Sequence, residues 1–190
     1  MSLVELIAQA DERGLAACGL ACLDRCVPLL GGDDEVLRPL WADLAADEGT
    51  AGGGAVGGGA WGKLWEQARA ELGGPDGHDE ATLLAHRMLA AAPATPDGPE
   101  VRTWADACSV ASLRIHRLLD PAEDADSVDA RREGRTEGMS PLVAAELRRQ
   151  TTVLELLAEH GTGGLRRALE VSVEGRRVLR AVVSRRARLA

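Results

Sequence analysis

Four cysteines and four histidines are the side chains of this chain best suited to bind a metal or act as nucleophiles. Three of the cysteines, Cys18, Cys22 and Cys26, recur every four residues, which places them on one face of a helix. The outer two would lie about 12 Å apart along the helix axis, whereas a metal–sulfur bond is only about 2.3 Å long. One metal ion cannot bind all three, so the spacing favours a role in core packing and predicts no metal site.

His116 is the histidine whose surroundings come closest to a functional site. It follows Cys108 by two helical turns and precedes Asp120 by one, so the Asp120 carboxylate could orient its imidazole. Trp104 lies on the same apolar stripe, and Trp104, Cys108 and His116 could together line a pocket for a small molecule. The same pattern is also typical of an ordinary interface between two helices. No motif predicts a cofactor or a catalytic residue.

A glycine-rich stretch at residues 49–62 contains two patterns that resemble nucleotide-binding loops. The pattern GxGxxG begins at Gly52, and the pattern GxxxxGK ends at Lys63. The second pattern is followed by Leu64, where a phosphate-binding loop needs a hydroxyl group to bind magnesium. Both patterns also need a preceding β-strand, which the sequence does not predict. We therefore expect residues 49–60 to form a flexible loop.

Helical periodicity runs through nearly the whole chain and supplies the elements that would carry these side chains. It predicts an all-α fold, with residues 1–190 as a single helical domain and one bundle of about seven or eight helices. The second predicted helix is apolar on almost all sides, which predicts a central position. The predicted helices span residues 3–10, 14–29, 33–47, 61–72, 80–91, 100–119, 141–160 and 164–189. In the third, Pro39 either kinks the helix or marks its true first turn. A loop at 120–139, with acids first and arginines after them, could contain a further short helix.

Charge is distributed very unevenly along the chain. Residues 161–190 carry a net charge of +6, whereas the other 160 residues carry −14, which gives −8 for the whole chain. Residues 164–189 therefore predict a basic amphipathic helix, whose polar side carries the candidate partner-binding residues Arg177, Arg180 and Arg188. These arginines could form a solvated face, or dock on the acidic residues 120–129 of this chain or a neighbouring subunit. Nucleic acid is a less favoured partner, because the acidic body would repel phosphate.

The composition excludes several classes of protein. Phenylalanine and tyrosine are absent and aromatic residues make up only 2%, which argues against a β-sandwich or an RNA-binding sheet. The longest apolar run, residues 15–30, is interrupted by Asp24 and Arg25, so no membrane span is predicted. The N-terminus lacks a basic leader, and we expect a cytoplasmic protein. Arginine greatly outnumbers lysine, which indicates a GC-rich bacterial genome, with an actinobacterium as the first candidate.

These observations together favour a non-catalytic helical protein that acts through protein–protein contacts, with a homodimer as one form of such contact. One alternative is a small-molecule-binding or enzymatic bundle with its pocket near Trp104, Cys108 and His116. A further alternative is a regulator that contacts nucleic acid through the arginine-rich C-terminal helix.

Overall fold

The computed structural model describes residues 1–46, 56–74, 77 and 79–188. Within them the protein is all-α, as the sequence predicts, and residues 27–29 and 161–164 form short 3₁₀ turns. Residues 49–55 of the predicted flexible loop lie outside the described residues, as do His78 and the end of the basic C-terminal helix. The nine α-helices of the described residues are α1 (Leu3–Gln9), α2 (Glu12–Cys26), α3 (Arg38–Ala45), α4 (Trp61–Leu72), α5 (Glu80–Ala90), α6 (Gly98–Leu119), α7 (Val128–Arg132), α8 (Pro141–His160) and α9 (Leu165–Ala187).

Capping side chains and prolines explain where the helices begin. Ser2 and Glu5 form a reciprocal capping box at α1, and Asp79 accepts a hydrogen bond from a backbone amide at the start of α5. Of the two readings of the third helix, a start at residue 33 with a kink at Pro39 is wrong, because α3 begins only at Arg38, and a first turn at Pro39 is confirmed. Pro39 occupies its first turn, where the missing amide hydrogen costs nothing.

Helix α2 is the centre of the molecule, as its apolar sequence predicts. Thirteen of its fifteen residues are buried, and it contacts α3, α5, α6, α8 and α9. At Gly19 the indole of Trp104 from α6 lies so close that a Cβ atom would stand 2.4 Å from it. The two helices therefore approach closely because this residue has no side chain.

Two charged residues of α2 lie inside this core. Asp24 and Arg25 are 1% and 0% exposed, although in the sequence they interrupt the longest apolar run. Buried charges need partners, because an unpaired charge in the interior is very costly. Both have partners, on α8 and α9. Within the described part of the chain, no helix is both long enough and apolar enough to cross a membrane.

Candidate functional site

A buried ion pair between Arg25 of α2 and Glu146 of α8 forms the centre of the helical bundle. The Arg25 Nε donates to Glu146 Oε2 at 2.8 Å, and an Arg25 terminal nitrogen donates to Glu146 Oε1 at 2.6 Å. Both side chains are completely buried. This two-point geometry is the strong form of an arginine–carboxylate pair, and it links helices that are far apart in the sequence.

Further polar side chains complete the surroundings of Glu146. The Ser112 hydroxyl and the Gln150 amide both donate to Oε1, at 2.7 and 2.8 Å. The Nε2 of His116 lies 3.6 Å from Oε2. We call Arg25, Ser112, His116, Glu146 and Gln150 the core polar cluster. Its carboxylate is well satisfied, which is the condition under which a buried ion pair is tolerated.

The cluster shifts the pKa values of Glu146 and His116. Burial is the largest single effect on Glu146 and raises its pKa, but the charge of Arg25, together with smaller effects of His116 and of hydrogen bonds from Arg25 and Gln150, brings the pKa down to about 2. Burial lowers the pKa of His116, more than the Glu146 carboxylate raises it. His116 Nδ1 lies 2.8 Å from the Ser112 carbonyl oxygen, so the neutral ring donates its proton there. At neutral pH the cluster therefore contains one cation, one anion and a neutral imidazole.

The carboxylate beside His116 is not the one suggested by the sequence. Asp120 accepts hydrogen bonds from the backbone amides of Ala122 and Leu142, at 2.9 and 2.7 Å. The Leu142 amide lies in the first turn of α8, where backbone amides have no acceptor within the helix, and Asp120 supplies that acceptor. Glu146 takes the expected place of Asp120 at the imidazole.

Trp104, Cys108 and His116 lie in different surroundings along α6. Trp104 packs edge to face against Trp61 and Trp65, with centroid distances of 6.4 and 5.5 Å. Its Nε1 donates to the Met88 carbonyl oxygen at 3.0 Å. Twelve residues of helix separate Trp104 from His116, which corresponds to about 18 Å. A groove of about 410 Å³ borders Trp104, and its lining contains neither Cys108 nor His116.

The four cysteines are thiols enclosed in the core. Cys18, Cys22, Cys26 and Cys108 are all buried and none forms a disulfide. Burial raises the pKa of Cys26 to about 12 and raises the pKa of Cys22 and Cys108 as well. These three thiols resist ionisation, although the thiolate is the reactive form. Among the residues that the structure describes, no group of three or more potential ligands could hold a metal ion.

The described end of the glycine-rich stretch wraps around a carboxylate. Asp43 Oδ1 accepts from the Ala60 amide at 3.0 Å, and the Asp43 carbonyl oxygen accepts from the Gly58 amide at 2.9 Å. A Cβ on Gly57, whose φ is +83°, would meet this carboxylate at 3.0 Å. An anion of the protein itself thus lies just before α4, at the helix end where a phosphate-binding loop would hold phosphate.

The three predicted partner-binding arginines are exposed on or just after α9. Arg180 pairs with Asp34 on the same molecule, whereas Arg177 and Arg188 have no partner among the described residues. The sequence did not indicate that Arg176 is buried, where it forms an ion pair with Asp24. The docked side of α9 therefore carries a charge as well as the predicted apolar residues.

A second candidate site is the surface around Leu118, near the end of α6. Leu118 is 37% exposed, which makes it one of the few large apolar side chains that reach the solvent. Two grooves, of about 850 and 550 Å³, share Leu118 and Glu80 in their lining. The larger groove is bounded by residues 120–129, the acidic loop, and the smaller one by Arg186 and neighbouring residues of α9. We call Leu118 and these two grooves the Leu118 surface.

Two buried arginines hold the acidic loop in place. Arg131 Nε donates to Asp124 Oδ1 at 2.8 Å, and one of its terminal nitrogens donates to the carbonyl oxygens of Arg135 and Glu137. Arg132 Nε donates to the Ser109 hydroxyl at 3.2 Å, which links α7 to α6. The other Asp124 oxygen accepts from the backbone amide of Ser140 at 2.9 Å. The loop is thus a defined part of the surface, on which Glu123 and Asp129 are exposed.

Sequence reasoning missed the core polar cluster, although a signal for it was present. Val143, Glu146, Gln150, Val153 and Leu157 recur at helical spacing and are all buried on α8. A carboxylate and an amide on an otherwise apolar stripe indicate a buried polar contact. The partner on α2 could not be identified from this pattern, because it lies 121 residues away.

Comparison with known proteins gives no match to any protein family, any curated protein or any solved structure. Two features therefore remain as a basis for function. The core polar cluster connects helices inside the bundle, and the Leu118 surface is available for contact with another molecule.

Proposed function

We propose that this protein is a non-catalytic helical protein that acts through protein–protein contact, and that its partner is a second copy of itself. The observation that carries the proposal is the Leu118 surface. An exposed leucine between two grooves offers apolar area to bury, which is the main driving force of protein association.

Charge on the two sides of Leu118 supports a second copy as the partner. The larger groove is bordered by the acidic loop. The smaller groove is lined by Arg186, which belongs to the arginine-rich residues 185–188 that we call the basic end. The basic end contains three arginines, and the acidic loop contains five carboxylates. Arg186 on one side of the apolar centre and the acidic loop on the other could attract each other between two copies, and electrostatic complementarity favours specific association.

The interior supports the non-catalytic part of the proposal. His116, Glu146 and Cys108 are at most 1% exposed and are surrounded by protein. The nucleic-acid alternative is disfavoured because Arg180 is already paired with Asp34, and because the net charge of −8 repels phosphate. A cytoplasmic location remains part of the proposal, since buried thiols without disulfides are typical of reducing compartments.

Sedimentation velocity over a range of protein concentrations tests the proposal. We expect the wild-type protein to form a dimer as concentration rises, and Leu118→Asp to sediment as a monomer. A charge at the centre of an apolar interface would have to be buried without a partner. The matched control is Val4→Asp, because Val4 is 41% exposed on α1 and lies outside both grooves.

Val4→Asp should dimerise as the wild type does. A wild-type protein that stays monomeric at all concentrations would contradict the proposal. Equal dimerisation of the Leu118→Asp and Val4→Asp variants would show that the contact lies elsewhere on the molecule.

A further inference from the structure

We propose that His116 makes the bundle acid-sensitive. Helices α2, α6 and α8 pack together only while its imidazole is neutral, and uptake of a proton by this ring opens their junction. The proposal concerns the interior of the molecule and does not depend on the contact at Leu118. It gives the core polar cluster a regulatory role in addition to its structural one.

The two nitrogen atoms of the His116 ring have different surroundings. Nδ1 lies 2.8 Å from the Ser112 carbonyl oxygen, which can only accept a hydrogen bond, so the single proton of the neutral ring is on Nδ1. Nε2 therefore carries a lone pair, and it lies 3.6 Å from the Glu146 carboxylate oxygen Oε2. Because two acceptors that face each other form no hydrogen bond, an additional proton is taken up at Nε2.

A proton on Nε2 unbalances the charge of the core polar cluster. Arg25 and Glu146 already neutralise each other through two hydrogen bonds, with both side chains fully buried. His116 is itself only 1% exposed, so its protonation places an excess positive charge inside the protein. A buried charge without a partner of its own is very costly. The protein avoids this cost when the junction opens and the ring reaches water.

The other groups around the ring do not offset this charge in the part of the molecule that the structure describes. Arg149 of α8 and Arg25 of α2 both act on the ring as cations. The Cys26 thiol lies 3.8 Å from the Ser112 hydroxyl and stays neutral, because burial raises its pKa to about 12. Helices α1, α5, α7 and α9 also pack against α6. Charges on these helices that already have partners include Glu5 with Ser2, Glu80 with Arg114, Arg132 with Asp106 and Arg176 with Asp24.

The pKa of His116 gives the direction of the effect. Burial lowers this pKa below the ordinary value of about 6.5, more than the Glu146 carboxylate and the Ser112 hydrogen bond raise it, and the charges of Arg25 and Arg149 lower it further. The unfolded chain therefore takes up the proton first. Stability falls as the pH decreases from about 6.5 toward the lower pKa of the folded state.

Glu146 acts in a separate range of pH. Its pKa in the folded protein is about 2, whereas an ordinary glutamate has a pKa of 4.5. The stability that its ionised form contributes is complete above the higher value and is lost as the pH falls toward the lower one. A loss of stability that begins near pH 6.5 therefore reports on histidine rather than on this carboxylate.

Chemical denaturation of His116→Gln tests the proposal over a series from about pH 7.5 to about pH 5. Where unfolding takes up one proton, the unfolding equilibrium constant rises about tenfold for each unit by which the pH falls. We expect this constant to rise in the wild type as the pH falls below about 6.5, the pKa of an ordinary histidine. It should rise less steeply in His116→Gln, because glutamine cannot take up the proton.

The matched control is His160→Gln. His160 is the last residue of α8, and its side chain is 40% exposed. Its replacement removes a histidine without changing the core polar cluster. The His160→Gln variant should therefore keep the pH dependence of the wild type.

Nitrogen-15 NMR of the wild-type protein observes the His116 ring directly, so the test holds even if His116→Gln fails to fold. The chemical shifts of the two ring nitrogens distinguish both neutral tautomers and the imidazolium, and the signals are assigned with labelled histidine. We expect a neutral ring with its proton on Nδ1 throughout the range of pH in which the folded protein persists.

Three results would overturn the proposal. The first is a His116→Gln variant whose unfolding depends on pH as steeply as that of the wild type. The others are a folded protein in which His116 is already an imidazolium near pH 6, and a neutral ring with its proton on Nε2. A flatter profile for His116→Gln alone, or the neutral Nδ1 tautomer in a folded protein that loses stability below about pH 6.5, supports the proposal.

Discussion

At the scale of single residues, arginine side chains bind backbone groups at helix ends, which the composition alone does not reveal. The excess of arginine over lysine indicates a genome bias. Several of the guanidinium groups nevertheless bind carbonyl oxygens at the ends of helices. Arg102 donates to the carbonyl oxygens of Ile7 and Ala10 at the end of α1, and Arg69 donates to that of Ala92 after α5. Carbonyl groups there lack partners within the helix, and the several donors of one guanidinium can bind more than one of them.

The core polar cluster gives a prediction at this scale. Replacing Glu146→Ala leaves Arg25 charged and buried without its partner, and we expect a loss of about 3–5 kcal/mol in the free energy of unfolding. Chemical denaturation measures this loss. The matched control is Glu35→Ala, which removes a carboxylate paired with Arg38 on the exposed surface and should cost about 1 kcal/mol or less.

A double substitution separates the loss of the pair from the loss of the carboxylate. Arg25→Met with Glu146→Leu removes both charges and keeps apolar volume, so it should recover much of the lost stability. If Glu146→Ala cost no more than Glu35→Ala, the buried ion pair would not be holding α2 and α8 together.

At the scale of elements, the sequence predicts helices where their ends carry local signals. Helices α4 and α8 span the predicted residues, and α8 has Ser140 and Pro141 at its start and Gly161 at its end. For the third helix the sequence left two starts open, and the structure has the later one, with Pro39 in the first turn. Which helices meet could not be predicted, since pairs such as Arg25 with Glu146 depend on tertiary packing rather than local pattern.

The contact of α2 with α6 gives a prediction at the scale of elements. Alanine is a better helix former than glycine by about 1 kcal/mol, yet Gly19→Ala should destabilise the protein. Its Cβ would lie 2.4 Å from the Trp104 ring, and overpacking of a core typically costs about 1–3 kcal/mol.

Thermal and chemical denaturation of Gly19→Ala and Gly163→Ala measure this effect. A Cβ on Gly163 would meet no atom within 4 Å, so its substitution should change stability by less than about 0.5 kcal/mol. Equal stability of the two variants would mean that α2 and α6 do not depend on the close approach at Gly19.

At the scale of the whole molecule, the separation of charge is visible in the sequence, but its arrangement is not. Residues 161–190 are basic and the remainder is acidic, which left open whether α9 docks on the acidic loop. The structure pairs Arg176 with Asp24 and Arg180 with Asp34 instead. The acidic loop and Arg186 border the two grooves that share Leu118, and this placement supports the proposal of a contact centred on Leu118.

Crosslinking through a cysteine at position 118 tests the central claim most directly. The four native cysteines are buried, so a short bismaleimide should react only with the new thiol in Leu118→Cys, and the control is Val4→Cys on α1. A contact centred on Leu118 predicts a covalent dimer of twice the 20.0 kDa chain mass for Leu118→Cys, and monomer for Val4→Cys. Monomer from both variants at concentrations where the wild type dimerises, or equal crosslinking of both, would contradict a contact centred on Leu118.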